Sequence, residues 1–388
     1  MRLVSDSSEF STSRRSFASA RPAGHPFTNL FFFPPRGLLF LATPLRIGSF
    51  FRRCSCTTFD SHSRTLPAMG GSAYAEVECK TLDGVVLRGW LFTAPGDGPA
   101  PIIIMSHGFN CVKAMTLPDI AEWFQSKGYN VLLYDPRGVG TSDGLPRNQI
   151  DPLRMAEDLS DIITFAAARV PSADPKRILL WGMSFGGMVS GCTAAVDTRP
   201  RALVMVAPLF SFIRPERRRV TFKHVIKDRV SQLRGNEPLS LPPFDRHGEN
   251  LAGFGGAGGP GGLEAFNLMR GAAERGDSEQ TGFRDRITLQ TYHKMALARP
   301  AELLEMVDER MSVMMVVPEL DDISDPAEQK AAFAKLTTST TSGHRTSPGV
   351  RKLHVAKEKG HLSIMTGEGS QELLEEMHQF YQESLVVS

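Results

Sequence analysis

The chain has 388 residues, 41% of them hydrophobic and 22% charged, a balance that fits a soluble globular protein with one large domain and an insertion, or with two domains. The formal net charge of +2 hides an asymmetry: residues 1–68 hold nine Arg, no Lys and three acids (Asp6, Glu9, Asp60), leaving 35 basic against 39 acidic groups in the rest. The basic excess belongs to the leader and gives no argument for nucleic-acid binding. The five Cys (Cys54, Cys56, Cys79, Cys111, Cys192) show no metal-site or disulfide-framework spacing and read as free thiols in a reducing compartment.

Residues 1–68 carry no helical or strand period. Their apolar stretch "FFFPPRGLLFLATPLRIGSFF" is split by Pro34, Pro35 and Arg36, so no run reaches the roughly 18–20 apolar residues of a membrane span. Two readings stand. The stretch is an upstream extension of a chain that starts at Met69, or it is an Arg- and Ser-rich transit peptide. The first implies a cytoplasmic protein, the second a mitochondrial one.

From residue 75 strand and helix patterns alternate. "AEVECK" and "VVLRGWLF" flank the turn signal Asp83-Gly84, which predicts a hairpin. "PIIIMSHG" reads as a strand buried on both faces. "DIAEWFQSKG" has helical spacing of Ile120, Trp123 and Phe124 and a stop at Gly128. "NVLLYD" is a second buried strand. "DPLRMAEDLSDIITFAAARV" is a long helix with Leu153, Ala156, Leu159, Ile162 and Ile163 assigned to its apolar face. "RILLWG" is a third buried strand, followed directly by a turn at Ser184, then by "FGGMVSGCTAAV", a helix, and by the strand "ALVMVAP". This alternation predicts an α/β fold with a mostly parallel central sheet flanked by helices.

The rhythm stops after Pro208 and returns with the strand "MSVMMVVPELDD", the helix "PAEQKAAFAKL", the strand "RKLHVA" and the helix "SQELLEEMHQFYQ". The chain thus divides into a leader (1–68), a core (69–208 and 301–388) and a cap insertion (209–300) over the carboxyl edge of the sheet, where open parallel sheets bind ligands. Within the insertion, "GFGGAG" (253–258) matches the dinucleotide pattern. No strand precedes it, so it is read as low-complexity sequence and no cofactor is expected. Arg217, Arg218, Arg219, Lys223 and Lys227 read as a solvated helix face rather than a nucleic-acid contact.

The chemistry is expected at Ser184. The stretch "GMSFGG" stands between a buried strand and a helix, the context of a nucleophile elbow. A serine hydroxyl needs a base within hydrogen-bond reach. His361, in "KGHLSIM" after the last strand, is the candidate; His354 lies inside that strand and reads as a packed residue. An acid that orients the base belongs at the end of the preceding strand. "ELDD" offers Asp321, with Asp322 as the rival, because a one-residue register error exchanges them. Glu319 and Asp325 read as solvated loop charges. The N–H groups of Phe109, in "SHGFN", and of Phe185 are expected to hold an oxyanion.

The motifs "SHGFN", "DPRGVGTSDG", "GMSFGG", "ELDDISDP" and "KGHL" resemble those of the α/β-hydrolase superfamily across residues 75 to 385. More narrowly, "SHGFN", "DPRGVGTSDG" and "GMSFGGM" resemble fungal polyketide transferases and thiohydrolases, akin to dienelactone-hydrolase-like proteins. The resemblance implies a serine enzyme acting on an ester or thioester, with a polyketide acyl chain passed to water (thiohydrolase) or to an alcohol (acyltransferase). It also implies an acyl-carrier domain of a polyketide synthase as partner. The remaining alternative is a non-catalytic binding protein on the same fold. No metal, nucleic acid or membrane span is expected.

Overall fold

The computed structural model describes residues 74–254, 259–274, 280–338 and 348–386. The proposed leader, 1–68, lies outside them. An eight-stranded sheet forms from β1 (Tyr74–Lys80), β2 (Val86–Phe92), β3 (Ala100–Ser106), β4 (Asn130–Tyr134), β5 (Ala173–Met183), β6 (Ala202–Val206), β9 (Ser312–Pro318) and β10 (Arg351–Ala356), in the order β1-β2-β4-β3-β5-β6-β9-β10. The first two strands form an antiparallel hairpin, and β2 also pairs antiparallel with β4. All other pairs are parallel. A short antiparallel ribbon, β7 (Ser240–Leu241) with β8 (Ile287–Thr288), lies between β6 and β9.

The continuous apolar runs are explained by covered faces on both sides. Successive strand side chains point to opposite faces. Ile102, Ile104, Ile178 and Leu180 therefore enter one core, while Ile103, Met105, Leu179 and Trp181 enter the other. Helices α2 (Pro152–Arg169) and α3 (Phe185–Val196) cover the first face through residues such as Leu159, Ile162 and Val189. Helices α1 (Pro118–Ser126) and α9 (Ser370–Val386) cover the second with Phe124, Met377, Phe380 and Tyr381. Asp151 caps α2 by accepting from the Arg154 N–H.

One expectation fails on the face of α2. Leu153 is 43% exposed, whereas Met155, Ala156, Leu159, Ile162 and Ile163 are buried. At 3.6 residues per turn Leu153 points about 120° away from the centre of that buried stripe.

Between β6 and β9 the chain carries α4 (Arg218–Gln232), α5 (Pro260–Glu274), α6 (Gln290–Leu297) and the short α7 (Pro300–Leu303). Helix α4 is unusual: it buries Thr221, Val225 and Asp228 and exposes Val220, Ile226 and Val230. Buried Asp228 accepts from Gln232, Gln290 and the Leu239 N–H. Helix α8 (Pro326–Thr338) follows β9. Among the described residues no helix is long and apolar enough to cross a membrane.

Candidate active site

β5 ends at Met183 and α3 begins at Phe185. Ser184 alone makes the turn, at φ 56° and ψ −119°, a conformation that costs a non-glycine residue of order 1–3 kcal/mol. The surrounding glycines are a steric requirement. A Cβ at Gly182 would lie 2.4 Å from the Gly186 carbonyl oxygen, and one at Gly186 would lie 2.1 Å from that of Ser106. The Ser184 N–H donates to Val206 O at 2.8 Å, tying the turn to the end of β6.

The structure brings Ser184, His361 and Asp321 together, all buried. His361 Nδ1 is 2.9 Å from both Asp321 oxygens. An ionised carboxylate only accepts, so Nδ1 carries the proton and donates. That leaves Nε2 to accept from the Ser184 hydroxyl, at 2.7 Å. The Asp321 carboxylate is itself held: Oδ1 accepts the N–H groups of Ile323 and Ser324, and Oδ2 accepts the amide of Gln329 on α8. The loop bearing His361 is pinned by Gly360 N–H donating to Ser363 Oγ and by Leu320 N–H donating to Lys359 O.

The rival residues go elsewhere. Asp322 accepts from the Gly261 N–H of α5. His354 sits in β10 and pairs with Glu376 at 2.8 Å. Glu319 and Asp325 are exposed.

Phe109 and Phe185 flank the serine. Gly108 comes so close that a Cβ there would lie 3.7 Å from Ser184 Cβ. The two phenyl rings pack 5.6 Å apart. The Phe185 N–H heads α3, where the first N–H groups have no intrahelical acceptor and the helix dipole is positive.

The support beneath the 108–113 loop was not assigned from the sequence. Lys113 and Asp135 form a buried ion pair at 2.6 Å. Asp135 also accepts the N–H groups of Lys113 and Thr141. The Lys113 ammonium donates to Thr141 Oγ1 and lies 5.1 Å from the Trp90 ring centre. Removing one partner would leave an uncompensated buried charge, at a cost of about 3–5 kcal/mol. Gly140 of "DPRGVGTSDG" makes room for the acid: a Cβ there would lie 2.3 Å from the Asp135 carboxyl. Asn110, at φ 54°, donates to Arg284 O and accepts from Asn148, which ties the loop to the segment after α5.

A cavity of about 330 Å³ opens beside Ser184 and His361. Core residues Met115, Ile120, Met183 and Ile323 line it, together with Phe244, Phe254, Ala265, Leu268 and Met269 from the segment between β6 and β9. Phe254 falls within the "GFGGAG" match; residues 255–258 lie outside the described residues. Cys111 also lines the cavity, but burial pushes its thiol up to about 12. It stays protonated at neutral pH and does not compete as a nucleophile. Burial likewise lowers the pKa of His107, which keeps that imidazole neutral behind the loop.

With this geometry in view, the likeness to known proteins is specific. Residues 97–348 match the family described as serine aminopeptidase, S33. A thiohydrolase of Eupenicillium brefeldianum is 38% identical over 306 residues, covering 79% of this chain and 92% of that protein. A polyketide transferase of Penicillium sp., grgF, is 40% identical over 295 residues, covering 76% and 91%. The solved structure of DcsB in complex with its substrate analogue superposes with a TM-score of 0.73 at 51% identity, over 81% of this chain and all of that one. The protein is a serine-type α/β-hydrolase of the S33 family and belongs with the fungal thiohydrolases and polyketide transferases.

Proposed function

We propose that the protein cleaves an acyl thioester and releases a polyketide acyl chain, with Ser184 as nucleophile, His361 as base and Asp321 as its orienting acid. One observation carries the reading: the hydrogen-bonded line Ser184–His361–Asp321 opens into a mainly apolar cavity. Ser184 Oγ attacks the carbonyl carbon as His361 Nε2 takes its proton. The N–H groups of Phe109 and Phe185 hold the oxyanion. As the C–S bond breaks, His361 returns the proton to the leaving sulfur, and an acyl ester stays on Ser184. Water then attacks as His361 Nε2 takes its proton, the bond from the acyl carbon to Ser184 Oγ breaks, His361 returns the proton to Oγ, and the free acid departs. Thioester rather than peptide cleavage is favoured by the names of the relatives, thiohydrolase and polyketide transferase.

A second reading passes the chain to an alcohol, which attacks the same ester in place of water. The burial of Ser184 and the apolar walls favour it, because an acyl-enzyme that waits for an alcohol must keep water out. Purified protein mixed with acyl N-acetylcysteamine thioesters, with and without alcohols, is expected to gain the acyl mass at Ser184 and then lose it to acid or ester. A thioester consumed with no mass gained at any stage of rapid quenching would overturn the covalent mechanism.

The natural donor is an acyl chain on an acidic carrier domain, and α4 is its contact. Arg219, Lys223 and Lys227 lie four residues apart on the exposed face, beside the outward Val220, Ile226 and Val230. Arg217 is instead paired with Glu249. Reversing Arg219, Lys223 and Lys227 to Glu should slow turnover of carrier-bound thioester by about tenfold at low salt, with a smaller effect at high salt. A small uncharged thioester should be unaffected. Equal losses on both substrates would mean a damaged insertion and no docking role.

A further inference from the structure

Three consecutive side chains leave the end of β9 in three directions. Asp321 holds His361. Ile323 faces the cavity. Asp322, between them, reaches the N-terminus of α5, where its two oxygens accept the Gly261 N–H at 3.1 and 3.2 Å. That N–H is in the first turn of α5, without an acceptor inside the helix, and a carboxylate there also meets the positive end of the dipole.

The fit is closed to any side chain on the helix side. A Cβ at Gly259 would lie 2.1 Å from Asp322 Oδ2, and one at Gly261 would lie 2.2 Å from Oδ1. These two positions of the glycine-rich stretch therefore have a physical reason. One and two turns further along, α5 places Ala265, Leu268 and Met269 in the cavity wall. The buried stripe of the helix runs through Gly261, Ala265, Met269 and Ala272, so the end held by Asp322 and the wall facing the substrate share one side.

The geometry points to Asp322 as a positioning residue that locks the α5 wall to the catalytic loop and so sets which acyl chains the site accepts. This rests on the acyl-thioester reading above. The cavity, about 330 Å³ and mainly apolar, has room for a medium-length apolar acyl chain and far more than an acetyl group needs. With α5 released, that chain loses its wall, while an acetyl group, bound at Ser184 alone, does not use it.

The test compares acetyl and decanoyl N-acetylcysteamine thioesters in the full chain. Asp322→Ala is expected to lower the decanoyl-to-acetyl ratio of kcat/KM by about tenfold, through the decanoyl KM, with acetyl kcat within about twofold of wild type; tenfold lies inside the range for a lost helix cap. Asp322→Asn keeps an oxygen acceptor for the Gly261 N–H and should retain most of the selectivity. Gly261→Ala should reproduce the loss by steric displacement, and the double variant Gly261→Ala/Asp322→Ala should be no worse than either single, because both remove one contact. Loss of both substrates in proportion, unchanged selectivity, or additive effects in the double variant would each overturn the proposal. If the wild type turns over neither thioester, the functional reading falls separately. The lock is then judged by amide hydrogen exchange at residues 261–265, which should be faster in Asp322→Ala; unchanged exchange would overturn it.

Discussion

Replacing Ser184 with alanine is expected to lower thioester turnover by several orders of magnitude while the protein stays folded. In a serine protease, removing the nucleophile alone costs about 10⁶ in kcat, and roughly 10³–10⁴ over water survives from the oxyanion hole and binding. Alanine keeps the Cβ, so the strain at φ 56° is neither added nor relieved. What is lost is the hydrogen bond to His361 Nε2, worth about 1 kcal/mol, or about 1–2 °C in the thermal midpoint of a domain this large. Single-turnover kinetics and a melting curve on the same preparation check both parts. A folded variant retaining a tenth of wild-type turnover would remove Ser184 from the mechanism.

The second large effect is expected from Asp321→Asn, and the geometry determines how the amide sits. The Oδ1 position accepts two N–H groups, from Ile323 and Ser324, so the amide oxygen must stay there. The NH2 group is thereby driven to the Oδ2 position, against His361 Nδ1. The amide oxygen at the Oδ1 position stays 2.9 Å from Nδ1, but the NH2 group at the same distance opposes a proton there and biases the imidazole toward the Nε2–H tautomer, which cannot accept from Ser184. In a serine protease this wrong tautomer costs about 10⁴ in kcat. Gln329 cannot simply turn its amide oxygen to the new NH2 group, because its own NH2 also donates to Ser324 O; the unmet donor at the Oδ2 position should cost about 1–3 kcal/mol, read as a lower thermal midpoint. Asp322→Asn, one residue along, should leave acetyl thioester turnover near wild type. If Asp322→Asn proves the more damaging of the two, Asp321 is not the orienting acid.

Much of the core was legible because its signals are local. Strands covered on both faces appear as unbroken apolar runs, and β3, β4, β5, β6 and β9 were all found that way. The elbow was legible for the same reason: the strand, Ser184, its glycines and the helix are contiguous in the chain, from Ala173 to Val196. The choice between Asp321 and Asp322 was not local. Both stand just beyond β9, and their neighbours in the chain are common to both. They are separated by groups far off in sequence, His361 on one side and Gly261 on the other. The Lys113–Asp135 pair escaped for a related reason, since an ion pair across two loops leaves no period.

The segment between β6 and β9 was the least legible part. Helix α4 buries Thr221 and Asp228 and turns Ile226 and Val230 outward, so its pattern runs against the rule by which helices are read. Leu153 shows the opposite error, an apolar residue assigned to the buried stripe of α2 on the strength of its type.

The parallel pairing of β6 with β9 bears on how this enzyme could be re-engineered. A loop joining antiparallel strands can be cut out and exchanged, because it leaves and re-enters at the same end. Here the chain leaves β6 at the edge where Ser184 stands and must travel to the opposite end of the sheet before β9 begins, a crossover that needs a dozen or more residues in any parallel pair. Its final stretch makes that journey along α3: Leu304 lies so close to that helix that a Cβ at Gly191 would meet its side chain at 3.1 Å. A graft from a relative with different chain preference should therefore take the region up to α6 and keep the recipient's own Pro300–Met306. Transplanting that return stretch as well would exchange the back of the helix that carries the serine, and specificity would then change together with the catalytic turn.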